Sequence, residues 1–258
     1  MRNLNESPVA GTKLSSIGLI RADWVVPARV HAFTTNREIG LSECCWKNLN
    51  LSYHCGDDPG HVKQNRDLLC SLLPSEPRWL RQIHGNKVVN WEDIDAAESG
   101  ADAVFSEHPG QVCAILTADC LPVLFCNRSA TKVAASHAGW RGLADGILEA
   151  TVAAMGCTPD ELIAWFGPAI GPDVYEVGAD VYDAFLASGA ENSIAFKPSG
   201  DRWMANLYEL ARLSLNRLGI RNISGGKYCT YSEPDQFYSH RRDGITGRMA
   251  TVIWLQEA

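Results

Sequence analysis

An aspartate and a thiol, Asp119 and Cys120, sit side by side between two apolar runs in ILTADCLPVLF, residues 115–125. The flanks read as buried strand, where a carboxylate costs several kcal/mol unless it is paired or hydrogen-bonded. About ten residues on, past the turn-like NRSAT, a second strand ends in AASHAGWRG. A hairpin of 122–126 and 132–136 returns the end of the second strand to the start of the first and sets His137 beside Cys120. That pair suits either a Cys–His nucleophile and base or two ligands of a soft-to-borderline metal. His84, in RQIHG, is a third candidate, followed by a glycine that lets the backbone turn sharply. One Cys and two His ligands leave a fourth zinc position for water or substrate, the catalytic rather than the structural pattern. Asp119 is then expected to orient an imidazole or to carry a proton.

Arginines supply the other candidates. Arg141 lies between Gly139 and Gly142 at an expected helix start, an anion-friendly arrangement of N–H groups and a guanidinium. Arg241 and Arg248 flank the glycines of FYSHRRDGITGRM, and Arg37 lies in the turn TTNREIGLS. All four are candidates for phosphate. His54 reads as structural.

The elements that must position these groups alternate along the chain. Strands are expected at 30–34, 88–91, 112–117, 122–126, 132–136, 162–166 and 249–255. Helical periodicity covers 58–73, 143–155 and 202–218, the last two stopped by glycine. Strand following strand through 112–136 predicts mixed or antiparallel pairing in an α/β chain rather than a regular βαβ series. No repeat or linker divides the chain. We expect a flexible tail over 1–16 and one catalytic domain over 17–258.

A net charge of −7 argues against binding nucleic acid in bulk. No run is long enough for a membrane helix and the N-terminus lacks a signal-peptide core, so the expected location is cytoplasmic. Nine cysteines without C-x-x-C spacing signal neither a zinc ribbon nor a disulfide framework. Cys70, Cys113 and Cys126 read as small buried hydrophobes.

Five ordered motifs extend the picture: RQIHG (81–85), TADCLPVLF (117–125), ASHAGWRGLADGI (135–147), GPAIGPDVYEVG (167–178) and YSHRRDGITGRMA (238–250). Through them the chain resembles the bacterial family named variously multicopper polyphenol oxidase (laccase-type), peptidoglycan editing factor and zinc-dependent purine nucleoside phosphorylase. The resemblance implies metal ligation by His84, Cys120 and His137, with zinc as the metal; by its donors alone a His₂Cys set would also bind copper in vitro. It implies phosphorolysis of adenosine, inosine, guanosine and methylthioadenosine, and deamination of adenosine. The implied fold is shared with toxin deamidases: mixed α/β (α+β), sheets packed as a sandwich with helices outside. Asp173 stands where relatives often carry Cys, and His240 where they commonly show Tyr.

The candidate catalytic residues are Asp119, Cys120 and His137. For deamination, water activated by the metal would attack C6 of the purine with Asp119 as proton shuttle. For phosphorolysis, an arginine would position phosphate against the ribose while the metal polarises the base or the sugar. The expected partners are a nucleoside and phosphate, with no membrane or nucleic acid, on a monomer or weak dimer. A second reading keeps Cys120 as nucleophile and His137 as base of an amide hydrolase, removing misincorporated L-Ser from a cell-wall precursor. A copper phenol oxidase ranks below both, and a non-enzymatic binding module last.

Overall fold

The computed structural model describes residues 18–96 and 100–257. The expected tail, 1–16, lies outside the described residues. Strands β1 (Leu19–Arg21) and β2 (Val30–Thr35) begin the chain, and helix α1 (Pro59–Cys70) follows. The centre of the chain holds β3 (Val88–Asn90), β4 (Ala103–Ser106), β5 (Cys113–Thr117), β6 (Leu121–Asn127) and β7 (Val133–Ala138). Helices α2 (Trp140–Ala144) and α3 (Ile147–Met155), strands β8 (Leu162–Phe166) and β9 (Glu176–Val177), and helix α4 (Ala179–Ser188) come next. The remainder is β10 (Phe196–Ser199), β11 (Arg202–Ala205), α5 (Leu207–Arg217), β12 (Asn222–Gly225), α6 (His240–Asp243) and β13 (Met249–Leu255).

The fold is mixed α+β. One sheet has the order β1-β2-β13-β5 and a larger one β12-β8-β6-β7-β4-β3, while β10-β11-β9 form a small third sheet. The two large sheets pack face to face. Ile115 of β5 and Ile253 and Leu255 of β13 meet Leu124 and Cys126 of β6 and Trp165 of β8. Helices cover the outer faces. Ile147, Leu148 and Met155 of α3 and Leu210 and Leu215 of α5 pack on Val123 and Phe125. Leu69 of α1 packs with Phe33, Val252 and Trp254 of the smaller sheet. All seven residues of β6 are buried, because its alternate side chains enter two different cores. A strand buried on both faces reads as a continuous apolar run, not an alternating one.

Two helical expectations change. The periodicity of 143–155 is broken at Gly146, whose φ of 84° is a left-handed turn that divides α2 from α3. The first four residues of 202–218 are strand β11, paired with β10 from Phe196↔Ala205 to Ser199↔Arg202. Helix α5 starts only after Asn206, whose side chain accepts the N–H of Glu209 and caps it. Apolar spacing did not register that turn chemistry. Cys113 and Cys126 are buried as expected, whereas Cys70 is half-buried.

Leu124 tests the sandwich directly. Leu124→Ala is expected to lower stability by about 2–5 kcal/mol, read as a lower urea midpoint with an unchanged slope. Leu124→Met should cost less than about 1.5 kcal/mol.

Candidate functional site

Strand β5 belongs to one large sheet and β6 to the other, so Ala118–Asp119–Cys120 is where the chain crosses between them. The crossing is sharp. Asp119 has φ 92°, a conformation that a non-glycine residue keeps only where its surroundings hold it. Thr230 Oγ1 donates to Asp119 Oδ1 and the Arg241 N–H to Oδ2, both at 2.6 Å. The Asp119 carbonyl accepts the Ile170 N–H at 2.9 Å. The carboxylate in this apolar setting therefore ties three loops to the crossing, and the turn aims Cys120 out of it.

The β6–β7 hairpin pairs Leu121 with Ala138 and Pro122 with His137, which sets His137 close to Cys120 as its register requires. His84 approaches from the loop before β3, with Cys120 Sγ 3.9 Å from His84 Nε2. The His84 and His137 rings meet edge to face at 4.7 Å between centroids. One ligand atom from each of the three residues lies within 4.8 Å of the others. Zinc–ligand bonds are about 2.0–2.3 Å, so a small closure would let one ion reach all three. A thiolate with two imidazoles is a donor set that zinc and copper both accept. The site can hold a metal.

The carboxylate that orients His137 is Asp102, not Asp119, and this corrects one role expected of Asp119. Asp102 is fully buried at the start of β4, and its Oδ1 is 2.8 Å from His137 Nδ1. The same carboxylate accepts the backbone N–H groups of Ile83, His84 and Gly85 at 3.1, 2.9 and 2.8 Å. His84 has φ 61°, and this nest of three amides around one anion holds it there. Burial alone would raise the Asp102 carboxyl, but His137 and the amides hold it below its ordinary range. Burial would likewise raise the Cys120 thiol, yet the charge and hydrogen bonds of His137 and His84 bring it down to about 6. Burial disfavours charge on His137, and Cys120 and Asp102 outweigh it and raise that imidazole. By contrast, burial without partners pushes the Cys126 thiol up to about 12.

The three side chains open on a cavity of about 310 Å³, whose wall also includes His54, Gln82, Thr117, His240 and Arg248. Of the four candidate arginines, Arg248 lines this cavity, with Nη1 donating to the Thr246 and Gly247 carbonyls. Arg37 does not line it: Nε and Nη2 donate to the Lys47 carbonyl beneath a Tyr238 ring contact. Arg241 donates to the Glu176 carbonyl and lies over Tyr175. Arg141 stacks on its neighbour Trp140. The glycines beside it have a packing role. A Cβ on Gly139 would come within 3.0 Å of Cys120 Sγ and 3.2 Å of His84, and one on Gly142 within 2.9 Å of the Gly85 carbonyl.

The sequence reading missed Asp102 and set His54 aside as structural. Asp102 carried a signal of the kind that singled out Asp119, a lone carboxylate in the small apolar run SGADAVF.

A model of the multi-copper polyphenol oxidoreductase laccase family matches residues 31–256. The chain belongs to this family. A relative from Escherichia coli, named purine nucleoside phosphorylase YfiH, is 50% identical over 92% of this chain and 98% of its own. A purine nucleoside phosphorylase from Pseudomonas aeruginosa is 50% identical over 91% of this chain and 97% of that one. Among solved structures, a Neisseria meningitidis protein is 46% identical and superposes with a TM-score of 0.89 over 93% of this chain and 99% of that one. YlmD from Geobacillus stearothermophilus is 31% identical with a TM-score of 0.83, over 89% of this chain and 93% of that one. In this laccase-family chain no helix among the described residues is long and apolar enough to cross a membrane.

Two substitutions probe the geometry. Asp102→Asn turns an acceptor of four donors into an amide that must present N–H to some of them, and metal affinity should fall about 10–100-fold. Competition against a chromogenic chelator measures this, and unchanged affinity would show that Asp102 does not set the His137 ring. Gly139→Ala should also weaken metal binding in the same titration, by forcing Cys120 and His84 apart, with little change in the circular dichroism of the sheets.

Proposed function

We propose that the chain is a metal-dependent purine nucleoside phosphorylase with zinc as its metal. The observation that carries this reading is a cluster of one thiol and two imidazoles in the wall of a cavity that also contains an arginine. At about 310 Å³, the cavity falls at the lower end of the roughly 300–1,000 Å³ range of small-molecule sites. The names of the relatives supply the substrate class.

His84, Cys120 and His137 would hold the metal, His137 through Nε2 because Nδ1 is turned to Asp102. Bound zinc would supply a Lewis acid with an open position towards purine, ribose or water. Arg248 is the arginine we assign to phosphate, since a guanidinium in the cavity wall can set the anion against the ribose. Inosine, adenosine, guanosine and methylthioadenosine share the purine and the glycosidic bond on which such a site would act. Deamination of adenosine in the same cavity would instead add water at C6 of the purine and release its amino group as ammonia. In this reading Asp119 acts indirectly, through the turn that presents Cys120.

A second reading has its own observation. Without metal, the low thiol of Cys120, the raised imidazole of His137 and the buried Asp102 form a Cys–His–Asp series suited to an amide hydrolase. A copper phenol oxidase has less support, since Met155 and Met249 are buried in apolar clusters instead of standing beside the three ligands.

Incubating zinc-analysed protein with inosine and phosphate should release hypoxanthine, and Cys120→Ala should lose both this activity and the metal. Absence of product from fully loaded enzyme would overturn the phosphorylase reading. Rapid alkylation of Cys120 in active, metal-free protein would favour the hydrolase.

A further inference from the structure

His240 begins the four-residue helix α6, which Ser239 caps by accepting the Arg242 N–H at 3.2 Å. His240 is an exposed residue and lines the cavity shared by His84, Cys120 and His137. Nδ1 lies 2.6 Å from the Gly244 carbonyl oxygen. A carbonyl can only accept, so Nδ1 carries the hydrogen and the tautomer is settled. Nε2 therefore holds the lone pair in the neutral ring and becomes a second N–H in the protonated one. No partner of Nε2 is present among the described residues.

The other polar groups of this segment are committed. The Arg241 guanidinium donates to the Glu176 carbonyl. Arg242 donates to the carbonyls of Thr230, Tyr231 and Phe237 and pairs with Asp243. His137 has Nδ1 turned to Asp102, and His84 has Nε2 turned to Cys120. His240 thus lines the cavity and belongs neither to the candidate metal cluster nor to the hydrogen bonds holding it.

Phosphorolysis creates a need for such a group. When a phosphate oxygen bonds to C1′ of the ribose, the C1′–N9 bond breaks and its electron pair passes into the purine. The departing base is a poor leaving group as an anion and a good one when N7 takes a proton.

We propose that His240 is the general acid of this reaction, giving its Nε2 proton to N7 of the leaving purine. The purine leaves neutral, and the ring regains a proton from the hydrogen phosphate that has become the ester of ribose. The assignment rests on the phosphorylase reading. It adds a catalytic residue from outside the three-ligand cluster.

The test compares inosine with 7-methylinosine. The methylated purine already carries a positive charge and leaves without a proton. His240→Asn retains an amide N–H for the Gly244 carbonyl but lacks Nε2, and His240→Gln is a second variant that cannot donate as an acid. In both, kcat/KM on inosine should fall about 100-fold or more, while kcat/KM on 7-methylinosine stays near the wild-type value. Metal bound per chain, measured by elemental analysis, should match the wild type. Equal losses on the two substrates, undiminished cleavage of inosine, or loss of metal in both variants would overturn the proposal. A metal-loaded wild type that cleaves neither nucleoside overturns the phosphorylase reading and this assignment with it. A wild type that cleaves both, with variants showing no split, removes His240 alone.

Discussion

One buried carboxylate positions two of the three candidate metal ligands. Asp102 has no solvent to stabilise its charge and receives four hydrogen bonds instead, three from consecutive backbone amides at 83–85 and one from His137. Desolvation makes each of those bonds matter, because any donor withdrawn would leave charge unpaired in a place that cannot hydrate it. The loop at 83–85 is therefore held in a strained conformation, and the His137 ring is held in one tautomer by the same atom group. Two ligand candidates from separate parts of the chain are positioned by a single anion.

The third depends on the crossing between sheets. Cys120 follows a residue with positive φ at the point where the chain leaves β5 for β6. The cost of that turn is offset by Thr230 and the Arg241 amide on the Asp119 carboxylate. These partners lie more than a hundred residues downstream, so the thiol's aim depends on the C-terminal loops closing over the sandwich. Close packing completes the arrangement, since Gly139 leaves no more room than Cys120 and His84 fill.

The same geometry has two chemistries within reach. Metal-free, the paired charges of Cys120 and His137 stabilise one another. A metal would use the thiolate and the His137 Nε2 electron pair, so the proton on that imidazole would have to leave. Asp102 serves both states, as partner of an imidazolium in one and as orienting acceptor of a neutral ring in the other.

By itself the sequence determined the strands whose apolar runs or alternation are strong, with 162–166 and 249–255 bounded as observed. It also brought together His84, Cys120 and His137, because the β6–β7 hairpin is a local element and the motifs around it are dense. Where periodicity was ambiguous, local reading failed: β11 looked like the first turn of α5, and Gly146 looked like one residue of a continuous helix. Tertiary structure alone decided that Asp102 rather than Asp119 faces His137. Both are carboxylates in small apolar surroundings, and their partners are 35 and 111 residues away in the chain. It also decided which arginine reaches the cavity. A guanidinium is long and can satisfy itself on any nearby carbonyl, as Arg37 does on Lys47, so residue type and spacing cannot say which one is left facing the site.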